Sequence, residues 1–151
     1  MLQLKKQCVL LELEASDKES VLQEMAIAVH QCCSAINLET LKTILSEREQ
    51  IGSTGVGNGV AIPHGKIPGL DKLLLCFARS SAGISFDAID NRPVHLFVMI
   101  LSPVNLATDY LQTLARVSRL LKDNTTRHKL LQATDAETIK ELFNRKNVKD
   151  K

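Results

Sequence analysis

Val94-His95-Leu96-Phe97-Val98-Met99-Ile100-Leu101 is a run of eight residues broken by a single polar side chain, and turn residues stand at both ends, Asn91-Arg92-Pro93 before it and Ser102-Pro103 after it. Its length and its β-branched and aromatic content predict a strand, and the lack of alternation predicts that both of its faces are buried. Leu73-Leu74-Leu75-Cys76-Phe77-Ala78 is a second run of the same kind. Two strands covered on both faces require helices on both sides of a sheet, which places the chain among three-layer α/β/α folds with a central mixed sheet.

The flanking segments supply those helices. Val9 to Leu13 reads as a short strand, and Ser16-Asp17-Lys18-Glu19 has capping-box spacing ahead of Val21, Leu22, Met25, Val29 and Cys32, which recur at helical intervals. A second helix is predicted from Asn37, with Leu38, Leu41, Ile44 and Leu45 as its apolar stripe and Arg48 near its end. Gly83 to Phe86 reads as a further short strand, followed by a turn at Asp90-Asn91. In the last third, Leu111, Leu114, Ser118 and Leu121 predict one helix face and Leu130-Leu131 a shorter helix. Ile139, Leu142 and Phe143 predict a third, behind a capping box at Thr134-Asp135-Ala136-Glu137. One domain over 1–151 is expected, with its body at about 5–145 and a charged, frayed tail at 146–151.

Composition excludes several functions. With 19 Lys and Arg against 17 Asp and Glu, the net charge of +2 is too small for a phosphate-backbone field, and 3% aromatics leave few stacking platforms. No nucleic-acid partner is expected. No apolar stretch reaches the length of about 18 residues needed to span a membrane, and no signal peptide follows Met1, so a cytoplasmic protein without membrane insertion is expected. The four cysteines, Cys8, Cys32, Cys33 and Cys76, form no C-x-x-C pair, and buried thiols rather than a metal site are expected.

The chemistry concentrates in Gly52-Ser53-Thr54-Gly55-Val56-Gly57-Asn58-Gly59, which holds four of the seven glycines, and in the Val60-Ala61-Ile62-Pro63-His64-Gly65-Lys66 that follows. It lacks the ending of a nucleotide P-loop. Pro63 restricts the backbone before His64 and Gly65 leaves the imidazole uncrowded after it. A neutral imidazole is a nucleophile at neutral pH, and a hydrogen bond to one ring nitrogen selects the other for attack. Arg48, the hydroxyls of Ser53 and Thr54 and the glycine amides are the groups available to stabilise a phosphoryl group there.

From Arg48-Glu49 through Lys66 this pattern closely resembles the enzyme IIA signature of the fructose/mannitol class of the bacterial phosphotransferase system, and most of all its nitrogen-regulatory branch. The likeness continues through Asp90-Asn91-Arg92-Pro93-Val94 and Leu101-Ser102-Pro103. The resemblance implies that His64 is the phosphorylated histidine, modified on its tele nitrogen and charged by an HPr-like phosphocarrier, with Arg48 beside it. Asn58, Gly59, Ser53 and Thr54 would then shape the phosphoryl loop, with no cofactor and no metal. It further implies an onward partner, which is a regulatory target in a nitrogen-regulatory signalling role or a IIB domain in a sugar-specific one. A binding module that keeps the fold without efficient transfer stands as a third reading. Many members carry a second histidine where this chain has Tyr110, whose phenol donates a hydrogen bond but supplies no positive charge.

Overall fold

The computed structural model describes residues 4–144, so the expected charged tail at 146–151 lies outside the described residues. Five α-helices and six strands follow one another along them: β1 (Val9–Leu10), α1 (Lys18–Cys32), α2 (Leu38–Ile51), β2 (Gly55–Gly57), β3 (Val60–Ala61), β4 (His64–Lys66), β5 (Leu74–Ile84), β6 (Val94–Ser102), α3 (Ala107–Lys122), α4 (Asn124–Gln132) and α5 (Ala136–Asn144). The strands join in one sheet in the order β1-β5-β6-β3-β2, and β4 follows β3 along the same edge of β6. β5 and β6 are antiparallel, whereas β1 on β5 and both β3 and β4 on β6 are parallel, so the sheet is mixed.

β6 is the centre of the molecule, as its apolar run predicts. Apart from half-buried His95, every residue from Val94 to Ser102 is buried. α3 and α4 pack on β6, α1 on β5, and α2 on β4, while α1 lies against α2 and α3 against α4. The helices thus cover both faces of the sheet, and the three-layer α/β/α class holds. Arg79 fastens the layers at one edge. Its Nε donates to the carbonyl of Leu11 at 3.0 Å, and its Nη1 to those of Leu130 and Ala133 at 2.8 and 2.7 Å, where the carbonyls ending α4 lack helical partners.

Several local expectations shift. Both capping boxes start one residue later than read: Asp17 accepts from the Ser20 amide and Asp135 from the Thr138 amide, because a carboxylate at N-cap takes the role that a hydroxyl one position earlier would have had. The strand expected over Val9 to Leu13 pairs only at Val9–Leu10, although the Leu13 amide still donates to the Arg79 carbonyl. Gly83 to Phe86 is not a separate strand: Gly83 and Ile84 end β5 beyond an irregularity in the β5–β6 register. Gly83 has φ +84° and a Cβ there would stand 2.8 Å from the His95 ring, so the chain crosses His95 only without a side chain. In α3 the inward line is Tyr110, Thr113, Val117 and Leu121, while Leu111 faces water. The tyrosine ring, not the leucine beside it, fits against the sheet. Cys32 likewise leaves the buried face of α1 and is exposed.

Candidate functional site

His64 opens β4, opposite Ile100 of β6, and the next residue sets how closely α2 approaches. A Cβ on Gly65 would lie 3.1 Å from Ile44 Cγ2, so glycine lets α2 rest directly on the strand. One helical turn beyond Ile44, on the same face, Arg48 arrives at the imidazole. Its Nε stands 3.4 Å from His64 Nε2, and its Nη1 donates to the Gly52 carbonyl at 2.9 Å, which holds the guanidinium across the end of α2.

The other ring nitrogen is occupied. His64 Nδ1 lies 2.7 Å from the carbonyl oxygen of Ile62. A carbonyl only accepts and a guanidinium only donates, so the proton sits on Nδ1 and the lone pair on Nε2. Burial lowers the pKa of His64 from its ordinary 6.5. The Ile62 carbonyl opposes that shift, the charge of Arg48 adds to it, and the carboxylate of Glu49 opposes it. The result is a half-buried neutral imidazole with one nucleophilic nitrogen turned toward a cation.

Tyr110 completes the group. β6 ends at Ser102, and the chain turns through Pro103 into α3, whose first turn returns over β4. The Tyr110 ring lies 5.9 Å from the His64 ring, centroid to centroid, tilted by 58°. Burial pushes its phenol up to about 12, with Arg48 opposing, so the hydroxyl stays protonated.

Ser53 and Thr54 stand on the loop behind Arg48, with both hydroxyls engaged. Ser53 Oγ donates to the Phe86 carbonyl at 2.7 Å and accepts from the Gly55 amide at 3.0 Å. The Thr54 amide donates to Glu49 Oε1 at 2.8 Å, and its hydroxyl donates to the same carboxylate oxygen. The structure does not bring Asn58 and Gly59 to His64. The Gly59 carbonyl accepts from the His95 and Leu96 amides, whereas His64 pairs with Ile100, so the two lie about 15 Å apart along β6. Asn58 and Gly59, with φ of 57° and 74°, form the turn between β2 and β3, next to His95 and Pro93.

Two residues of this region escape sequence reasoning. Glu49 is buried although charged, and it forms an ion pair with Lys18 at 3.2 Å. Lys18, the first residue of α1, also reaches Asp87 at 3.7 Å and lies 5.0 Å above the Phe86 ring. The pair thereby ties α1, α2 and the loop after β5 together behind Arg48. One signal was present: Leu41, Leu45 and Glu49 share a helical line, so a carboxylate stands where the apolar stripe asks for a leucine.

The remaining histidines have other roles. His95 Nδ1 meets the Ser80 carbonyl at 2.9 Å, His30 Nδ1 meets that of Ile36 at 2.9 Å, and His128 is exposed. Large apolar side chains stand exposed next in sequence to the site: Ile51 three residues beyond Arg48, Leu111 after Tyr110, and Val104 in the turn before α3, along with Val56 on β2. Val60 and Ile62 are buried in the sheet. No helix among the described residues is long and apolar enough to cross a membrane.

One unprotonated histidine nitrogen beside an arginine, on a mixed α/β/α sheet, is an arrangement that fits the class of small proteins that carry a phosphoryl group. The chain belongs to the family described as phosphoenolpyruvate-dependent sugar phosphotransferase system, EIIA 2, whose model matches residues 2–146. It is 38% identical over 133 residues to a nitrogen regulatory protein of Bradyrhizobium diazoefficiens, covering 88% of this chain and 86% of that protein. The crystal structure of the nitrogen regulatory protein IIA-Ntr from Neisseria meningitidis superposes with a TM-score of 0.88 at 28% identity, covering 93% of this chain and 96% of that one. The mannitol IIA of Escherichia coli shares the fold, with a TM-score of 0.79 at 19% identity over 94% of this chain and 99% of that one. The protein is a IIA-type phosphocarrier, with its nitrogen-regulatory relatives favoured over the sugar-specific ones.

Proposed function

We propose that His64 is the phosphoryl acceptor and that Nε2 is the atom that attacks. The observation that carries this is the pair of opposed partners on the ring, a carbonyl at Nδ1 and a guanidinium at Nε2, which leaves one tautomer and one nucleophile. The donor is an HPr-like phosphohistidine protein. As the Nε2–P bond forms in line, the donor's P–N bond breaks, and the proton stays on Nδ1, donated to the Ile62 carbonyl throughout. Arg48 exchanges its long contact to Nε2 for the oxygens of the arriving phosphoryl group, so its charge is in place before transfer begins. The Tyr110 hydroxyl supplies a neutral donor on the other side. Ser53, Thr54 and Glu49 hold the loop that backs Arg48, while Asn58 and Gly59 shape a turn remote from the transfer.

Exposed Ile51, Val104 and Leu111, which follow Arg48, precede α3 and follow Tyr110 in sequence, suit brief apolar docking of that partner. The output is nitrogen-regulatory signalling in the cytoplasm, through a target protein that distinguishes the phosphorylated from the free form. Donation to a IIB domain is the second reading. It is supported by the mannitol IIA solved as a complex with phosphorylated enzyme IIB and by the fructose-specific relatives of this chain.

The test is incubation with phosphoenolpyruvate, enzyme I and an HPr-like carrier. An acid-labile gain of one phosphoryl is expected, assigned to Nε2 by nitrogen-15 NMR and absent in His64→Ala. A phosphoryl on Nδ1, or its persistence in His64→Ala, overturns the assignment.

A further inference from the structure

Cys8, the adjacent pair Cys32 and Cys33, and Cys76 come from distant parts of the sequence to one corner of the fold. β1 runs parallel to β5 with Val9 opposite Phe77, so one step earlier Cys8 comes beside Cys76, and both are buried. α1 ends at Cys32, with Cys33 as its C-cap, and its last turn packs on the tight turn Lys6–Cys8. The Cys32 thiol donates to the Gln7 carbonyl at 3.3 Å, so its sulfur lies against the peptide that joins Gln7 to Cys8. Cys32 is exposed, while Cys8 is 3% exposed. An accessible sulfur thus contacts the chain one residue before a shielded cysteine, and among the described residues no group of three or more His, Cys, Asp and Glu is arranged to hold a metal ion.

We propose that Cys8 and Cys32 form a dithiol that a hydroperoxide converts into an intramolecular disulfide, with Cys32 oxidised first and Cys8 resolving it. The Cys32 thiolate attacks the peroxide. A sulfur–oxygen bond forms, the oxygen–oxygen bond breaks, and an alcohol leaves, or water when the oxidant is hydrogen peroxide. Cys32 is then a sulfenic acid, oxidised by two electrons while the peroxide is reduced by two. The Cys8 sulfur next attacks the Cys32 sulfur. The disulfide bond forms, the sulfur–oxygen bond breaks, and hydroxide leaves with the Cys8 proton as water. The order follows from access: of the two, Cys32 meets solvent and Cys8 is shielded, and burial also pushes the Cys8 thiol up to about 12, which disfavours its direct reaction with the peroxide as a thiolate. A bridge between adjacent Cys32 and Cys33 is disfavoured, since neighbouring residues do not easily reach relaxed disulfide geometry.

The experiment treats the reduced full-length chain with hydrogen peroxide, blocks the remaining thiols, and maps the digest without reductant. The loss of two thiols per chain and a Cys8–Cys32 cross-linked peptide are expected in wild type and in Cys33→Ser. Cys32→Ser loses the cross-link. Cys8→Ser retains a sulfenic acid at Cys32 that dimedone captures. No thiol loss, a Cys32–Cys33 bridge, a Cys32-linked dimer, or over-oxidation of Cys32 without the cross-link overturns the proposal.

Discussion

Arg48 Nε and His64 Nε2 face each other at 3.4 Å across the contact between α2 and β4, and the cation therefore meets the nitrogen that lacks a proton. The pairing disfavours imidazolium and readies a positive charge for an anionic group arriving at Nε2. Both consequences are measurable.

The first is pH dependence. The folded state holds His64 neutral below its ordinary 6.5, so the unfolded chain takes up the proton first. Stability then falls as pH drops below 6.5 and levels off under the lower folded-state value. Urea unfolding at about pH 7.5 and about pH 5.5 should show a larger loss for wild type than for His64→Gln, which lacks the titrating ring. Equal losses would mean that the imidazole titrates alike in both states. The Glu12, Asp17 and Asp135 carboxylates, held below their ordinary values by hydrogen bonds from Ser81, Ser20 and Thr138, also lower stability as they take up protons, but only at lower pH than His64.

Removing the guanidinium tests the second consequence. Charged hydrogen bonds contribute about 1.5–3 kcal/mol, so Arg48→Ala should slow phosphoryl transfer by about ten- to hundredfold in single-turnover assays. Arg48→Lys should recover only part of this, because an ammonium cannot hold the Gly52 carbonyl and face Nε2 in one plane.

Tyr110 separates packing from hydrogen bonding. Tyr110→Phe keeps the ring against His64 and should leave thermal stability near wild type, with transfer slowed by roughly threefold to tenfold for one neutral hydrogen bond. Tyr110→Ala empties a buried site and should cost about 3 kcal/mol in denaturant unfolding.

Glu49 carries the ion pair and the loop. Glu49→Ala leaves the Thr54 amide and hydroxyl without an acceptor and Lys18 without its nearer carboxylate, and should destabilise by about 3–5 kcal/mol. Glu49→Gln, which keeps an acceptor oxygen, should cost less than half of that in the same unfolding experiment. A loss under 1 kcal/mol (roughly one ordinary hydrogen bond) for Glu49→Ala would mean that water replaces the carboxylate freely.

Distance makes the last prediction. Asn58 stands on the far turn at φ 57°, so Asn58→Gly preserves the backbone and should leave the transfer rate within about twofold of wild type. A larger drop would place that turn in contact with the incoming donor.

The local parts of this protein were legible along the chain. Apolar runs without alternation marked β5 and β6 as strands covered on both faces, because a side chain with no exposed face has no reason to be polar. Helices announced themselves by period and by capping residues within one position, since a cap acts over three residues. His64 stood out because proline and glycine neighbours restrict and clear the backbone locally. The nonlocal parts were not legible. Which edge of α3 turns inward, the arrival of Arg48 and Tyr110 at one ring, the separation of Asn58 from His64 and the approach of Cys32 to the chain beside Cys8 all depend on strand register and helix docking. Ser53 and Thr54 looked free for a ligand, yet both hydroxyls are taken by Phe86 and Glu49. The sequence by itself determined the layers of the fold and singled out His64 as the proposed acceptor, because the causes of both lie within a few residues. Only the tertiary structure decided which of its nitrogens is free, because the carbonyl of Ile62 and the guanidinium of Arg48 must converge on one ring from two different elements.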